Sequence, residues 1–484
     1  MNSLIFLINS LSKKEESILM ALYDVEGEKK QSKKLELYNT IKLSGYVSDR
    51  EISLKLYNEL PSSKFSQLKS RLTRDILSIM TIEEGKSNYS SEYFANKHEV
   101  KQLLIDSELL YVRGAASLAN KYLEKAYKKS IKYELSHELL NVLDLLQKHV
   151  GQVKGPLIFS KYSEEKFRAL SDLKSKYDGF QTYYKIMLPS LFSGSTNIDS
   201  ASIEDAILEL ERLYGDTNSR EIYSLLLRAK TFYYNQIKDF EKALLAAEMF
   251  LKLTESDPIV KSASNEAGAN MQISLLYIYM NKFDQSLIYI NKSLNLFNKN
   301  SGNELRALNV KFVVNTVLDD LREMEKVLQI INSNKTLEKD KYLRDLWLLR
   351  KATFLFKSGQ YNDSLLYIQK CNDLVSDKSG WRIGLKILEL LCIIELGHFD
   401  WFELRLDSLY RLLLHTKGSK NSRAWRIYSV FKELQRVNFN WKTKAILESR
   451  DFQALNGDRD EFTWDPFGFE VLPMHKWLKG KIIL

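Results

Sequence analysis

One short pattern recurs between Phe240 and Leu409 and limits what this chain can fold into more than any other feature. It reads Phe240, Ala243, Ala247, Phe250; then Phe283, Ser286, Ile290, Ser293; Leu321, Met324, Leu328, Ile331; Tyr361, Ser364, Ile368, Cys371; and Phe399, Phe402, Leu406, Leu409. The steps within each set are +3, +4 and +3, and the lead residues stand 43, 38, 40 and 38 positions apart. Such steps place four side chains on one face of a helix. A helical face returning at this interval predicts a row of stacked helical hairpins, because one hairpin cannot bury its apolar side alone and its neighbour must do so.

The rest of the chain agrees with an all-α fold. Six prolines and nineteen glycines in 484 residues leave few places to break a helix, and no stretch alternates apolar and polar residues between turn signals. With 27% charged and 44% apolar residues, large-scale disorder is excluded. The two cysteines, Cys371 and Cys392, make no disulfide framework; Cys371 falls in a column of the repeat and reads as a packed thiol, with a reducing compartment as the natural setting. The opening apolar run, Leu4 to Ile8, is too short for a signal sequence and lacks a preceding basic residue, so it reads as a docked terminal helix or strand. Lys386, Glu389 and Glu395 interrupt the apolar run near 385–396 and remove it as a membrane span. A cytoplasmic protein without membrane partners is expected, and the abundance of Lys, Asn and Ile points to an AT-rich, bacterial genome.

Residues 1–85 read as a separate small helical domain. Ser12 with Glu15 and Ser48 with Glu51 are capping boxes, which satisfy free N–H groups where a helix starts. They open helices near 12–24 and 48–59; another falls near 32–43, and Pro61 precedes a fourth at about 63–80. In that fourth helix Phe65, Leu68, Leu72, Ile76 and Ile79 share one face, while Lys64, Gln67, Arg71 and Arg74 form a stripe about 120° away. A short helix, a turn and a longer helix with a basic stripe fit a helix-turn-helix reader of DNA. The same stripe fits the solvated side of an amphipathic helix.

The hairpins begin near residue 98, with Ala116, Ala119, Leu123 and Ala126 in the +3, +4, +3 register, and continue to about 415. The segment 135–200 is degenerate: helices are expected near 136–150 and 160–192, but the glycines at 151 and 155 and Pro156 disturb the period. Ile203, Ala206, Leu210 and Leu213 restore it. These residues resemble the tetratricopeptide repeat. Ile237 to Phe240 with Ala243 and Pro258, Met280 to Phe283 with Ser286 and Ser293, and Ser358 to Tyr361 with Ser364 and Cys371 follow that family's turn and small-residue positions. Leu396 to Phe399 keeps the turn but has bulky Phe402 and Leu409 at the small positions, as in a divergent member.

The resemblance implies a right-handed superhelical array whose first helices line a concave groove for a protein or peptide ligand. On that geometry the groove holds Arg228, Phe232 and Asn235; Met271, Leu275 and Ile278; and Leu349, Thr353 and Phe356. The alternative is that several of these are buried against the superhelix itself. The mostly apolar lining differs from the Lys and Asn pattern that clamps a terminal carboxylate in some relatives, and favours a helical or hydrophobic segment.

The last hundred residues differ again. Every tryptophan follows position 346, and residues 376–450 carry fourteen Lys and Arg against eight Asp and Glu, +6 of the chain's +9. Such an end suits an acidic partner or nucleic acid, or else Trp simply fills the end of an array. Helices are expected over 416–456. Residues 457–484, with Phe462, Trp464, Phe467, Phe469 and Trp477 and two prolines, read as an aromatic tail that caps the last hairpin, folds back into the groove, or is offered to a partner. No nucleotide, metal or nucleophile motif is present, and the six histidines are scattered singly, so neither catalysis nor a cofactor is expected. The chain therefore reads as a non-catalytic binding scaffold, the alternative being a transcriptional regulator with DNA-binding N-terminal helices and a repeat sensor.

Overall fold

The structure, a computed structural model, describes residues 2–24, 33–44, 48–83, 91–193, 200–334, 337, 341–371, 380–415, 422–441, 445–457 and 462–483. Among them all regular structure is helical. The first ten helices are α1 (Asn2–Asn9), α2 (Lys13–Asp24), α3 (Lys33–Ser44), α4 (Asp49–Tyr57), α5 (Ser63–Glu83), α6 (Glu92–Val112), α7 (Ala116–Lys132), α8 (Ser136–Leu146), α9 (Gln152–Lys154) and α10 (Pro156–Ser193). Two compact units, Met1–Asp178 and Gly179–Leu484, divide inside α10.

In the first unit, α1 to α5 gather on Leu4, Ile8, Leu19, Leu37, Ile52, Phe65, Leu72 and Ile76. The opening run is a helix docked by Leu4 and Ile8, so the lead-in has five helices where the sequence suggests four. Both capping boxes close. The Ser12 N–H donates to Glu15 Oε2 at 2.6 Å and the Glu15 N–H to Ser12 Oγ at 3.3 Å; Ser48 and Glu51 repeat this at 2.8 and 3.2 Å. The first hairpin, α6 with α7, packs Val100 and Leu103 on Leu123 and Ala126. After α8 a π-helical turn spans Gln147–Gly151, and a Cβ on Gly151 would lie 3.1 Å from Phe159 Cα, so a small residue is needed where the two segments cross. Pro156 occupies the first position of α10, where its missing N–H costs nothing. The helix thus starts earlier than the period suggests and runs unbroken to Ser193.

The second unit continues with α11 (Ser200–Thr217), α12 (Arg220–Gln236), α13 (Phe240–Ser256), α14 (Ala263–Tyr279), α15 (Phe283–Leu296), α16 (Gly302–Val317), α17 (Leu321–Asn332), α18 (Lys341–Lys357), α19 (Tyr361–Gln369), α20 (Trp381–Glu395), α21 (Phe399–His415), α22 (Arg423–Arg436), α23 (Ala445–Glu448), α24 (Arg450–Asn456) and α25 (Met474–Ile483). Each second helix starts at the lead residue of its repeat, and every +3, +7 and +10 position from Ala243 to Leu409 is buried. The small residues let backbones approach. Ser364 Oγ donates to the Ala352 carbonyl at 2.9 Å, and Ser274 Oγ lies 2.8 Å from Ser286 Oγ.

The turn inside each hairpin has one geometry. The residue two before each lead is left-handed: Lys238, Asn281, Asp319, Gly359 and Gly397, with φ of 61°, 56°, 58°, 75° and 72°. The next N–H then returns to a carbonyl in the last turn of the first helix, as Asp239 does to Tyr234 at 2.9 Å and His398 to Ile393 at 3.1 Å. This satisfies carbonyls that a helix end leaves free. Glycine serves where the sequence has it, and Asn or Asp tolerates the same conformation. The largest core, from α18 onward, joins Leu349, Leu388, Phe402, Phe431, Phe452 and Leu478. No helix among the described residues is long and apolar enough to cross a membrane.

Candidate functional site

The first helices α12, α14 and α16 direct one face each into two adjoining cavities of about 560 and 330 Å³, within the range of ligand sites. The larger is lined by Tyr183, Arg228, Phe232, Phe250, Met271 and Arg306, and the smaller by Asn235, Leu275, Tyr279, Asn309, Val310 and Phe467. They share Met271, Gln272 and Arg306. Five groove residues expected from the sequence, Arg228, Phe232, Asn235, Met271 and Leu275, therefore converge here.

The other four differ. Ile278 is buried with Ile290, Phe297 and Val314 between hairpins, because 100° per residue turns it about 120° away from Gln272, which faces the cavity. Leu349 lies in the core from α18 onward, and Thr353 is buried with its Oγ1 donating to the Leu349 carbonyl at 2.9 Å. Phe356 is buried as well but forms a wall of a third cavity, of about 310 Å³, beneath Trp464, Leu472 and Trp477.

Arg228 is exposed to the larger cavity, its guanidinium over the rings of Tyr183 and Phe250 at 4.8 and 5.8 Å. Arg306 is exposed and lines the same cavity. Neither has a carboxylate within ion-pair distance among the described residues. Asn235 Oδ1 is buried on the wall of the second cavity with no hydrogen-bond partner, and Asn309 Oδ1 accepts from Arg350 Nε at 2.9 Å. Arg350 is wholly buried, and that burial pulls its guanidinium down to about 10. Sequence reasoning missed Arg306. The signal was present: counting back fifteen from the leads Phe283 and Leu321 gives Gly268 and Arg306, both cavity residues.

The C-terminal tail closes one end of this groove. Asp465 to Gly468 forms a tight turn, with the Phe467 N–H donating to Asp465 Oδ1 at 2.9 Å and the Gly468 N–H to the Asp465 carbonyl at 3.0 Å. The turn presents Phe467 to Tyr279, at 6.2 Å between ring centroids, and to the core under α14 and α16. The Asp465 carboxylate lies against the Tyr279 hydroxyl, which burial and that charge push up from its ordinary value. Two residues on, the chain crosses α20 so closely that a Cβ on Gly384 would stand 1.9 Å from the Phe469 carbonyl oxygen.

Glu470 then meets Arg423 of α22 in a buried ion pair, Arg423 Nη2 donating to Oε1 at 3.1 Å. His475 Nδ1 sits 3.0 Å from the same guanidinium. Burial and the Arg423 charge lower His475 to about 4. Glu395 holds the final helix, accepting from Trp477 Nε1 at 2.7 Å and Lys481 Nζ at 2.5 Å. Phe467, Phe469 and Glu470 thus make a hub on which α14, α16, α20 and α22 meet.

The remaining sequence candidates fall elsewhere. Lys64, Gln67, Arg71 and Arg74 are all exposed on α5, away from buried Phe65, Leu72 and Ile76. Helix α4 rests on α3 and is tied to α5 by the Lys69–Asp49 ion pair at 2.6 Å. In the basic C-terminal stretch, Lys386 and Arg405 pair with Glu389, Arg411 with Asp407 and Arg426 with Asp451. Residues 416–421 of the basic stretch and 458–461 of the tail lie outside the described residues. Trp347 is a core residue, whereas Trp401 is exposed. Cys371 and Cys392 are buried, which pushes each thiol up to about 12 and leaves both as packing groups.

No family model matches the chain, and no curated protein does. Seven solved chains match it in structure. One is a tetratricopeptide repeat protein from Parabacteroides merdae ATCC 43184, similar over 71% of this chain and 99% of that chain with 14% identity and a TM-score of 0.32.

Proposed function

We propose that the second unit is a non-catalytic binding module of the tetratricopeptide type, which holds a segment of another protein against the first-helix faces of α12, α14 and α16. One observation carries this reading. The chain's own tail already places an aromatic turn, Asp465 to Gly468, at the end of a groove whose remaining length is open. A surface that accepts a folded-back segment in cis has the shape and chemistry to accept another in trans.

Gly268 offers the test. Gly268 lines the cavity and a Cβ there meets nothing within 4 Å, so Gly268→Trp sets a bulky side chain at the cavity wall. With a photo-reactive benzoylphenylalanine at Gln272, the full chain is expected to cross-link a discrete protein in extract of its source cells, and to lose that product when Gly268→Trp is added. Failure to form any discrete product, or a product indifferent to Gly268→Trp, sinks the proposal.

A further inference from the structure

Two guanidinium groups line one cavity with no carboxylate within ion-pair distance among the described residues. Arg228 and Arg306 flank a wall of Tyr183, Phe232, Phe250 and Met271. An anion between them would gain charge-assisted, forked hydrogen bonds of the kind guanidinium is shaped to give. Next door, Asn235 Oδ1 is buried on the wall of the second cavity with no hydrogen-bond partner among the described residues.

We infer that this groove takes an internal acidic and aromatic segment of a partner protein, its carboxylates on Arg228 and Arg306 and its ring against the wall of Tyr183, Phe232 and Phe250. The inference rests on the binding reading above and adds the partner's chemistry to it. The tail supplies the precedent within this chain: Asp465 and Phe467, two residues apart, set a carboxylate on Tyr279 and a ring in the adjoining wall. For Arg423 the chain provides its own acid, Glu470, and that pair is buried. The acid for Arg228 and Arg306 comes from outside. Nucleic acid fits less well, since phosphate-backbone binding draws on a broad field of cations and here two arginines are set in an apolar wall.

The test is selection of displayed random twelve-residue peptides on the full-length protein, followed by anisotropy of a fluorescein-labelled winner. Enriched peptides are expected to carry Asp or Glu within a few residues of Phe, Tyr or Trp. Their affinity is expected to fall about tenfold in Arg228→Ala/Arg306→Ala and to weaken with added salt. Both arginines are exposed, so circular dichroism should show the variant folded. Enrichment of neutral peptides, or unchanged affinity in the double variant, overturns the acidic partner while leaving peptide binding intact. No enrichment above bare support overturns both, as does arginine-dependent binding of a labelled single-stranded oligonucleotide in place of peptides.

Discussion

The stretch from α12 to α16 and the stretch from α18 to α25 share one hairpin turn, left-handed at Lys238 and Asn281 in the first and at Gly359 and Gly397 in the second, yet their inner faces are covered to different extents. In the first, Arg228 and Arg306 face open space and Asn235 carries an unanswered acceptor. In the second, the tail lies on the corresponding faces: Arg423 is answered by Glu470, Glu395 by Trp477 and Lys481, and the cavity that remains is roofed by tryptophans. A shared hairpin turn therefore does not decide whether a face is structural or available. Whether the chain has a segment left over to cover it does.

The largest expected effect breaks the covered side. Glu470→Gln removes a buried carboxylate and leaves Arg423 charged in an apolar core, which should cost about 3–5 kcal/mol of C-terminal stability, read from tryptophan fluorescence in a urea titration. Acid should act on the same place. His475 is neutral in the fold, held to about 4 against an ordinary 6.5, so the stability it contributes is whole above pH 6.5. As pH falls from 6.5 through about 4 the unfolded chain takes up the proton first, and roughly 3 kcal/mol should drain away. His475→Asn should flatten that limb of the pH–stability curve; an unchanged limb would show that other groups produce it. The smallest effect belongs to the open side. Arg228→Ala with Arg306→Ala should shift stability by less than about 0.5 kcal/mol, and a drop comparable to that of Glu470→Gln would mean the two faces are not different in kind.

Much of this is legible in the sequence alone. The lead residues mark the first residue of each second helix, and the columns behind them are buried, because a +3, +4, +3 face has one way to pack in a hairpin. The left-handed turns at Gly359 and Gly397 were visible from glycine, whereas those at Lys238, Asn281 and Asp319 were not, since these residue types also serve in many other settings. The groove was half legible. The resemblance to the repeat family placed the face of α12 and most of α14, but a face does not say what covers it. Leu349, Thr353 and Phe356 became interior because α18 lies where later helices and the tail pack. The partners of Glu470 could not be inferred, as the pairing of residues 423 and 470 depends on the path of an irregular segment with no period to follow.

Repeat arrays ordinarily lengthen or shorten by whole units, since each contacts its neighbours alone. The hub of this protein removes that freedom. Three peptide steps separate Phe467 from Glu470, a reach of at most about 10 Å, close to the spacing of one packed helix from the next. Inserting a hairpin between α16 and α20 would pull one anchor from its seat, so the count of repeats in that interval is set by the length of the strap that crosses them.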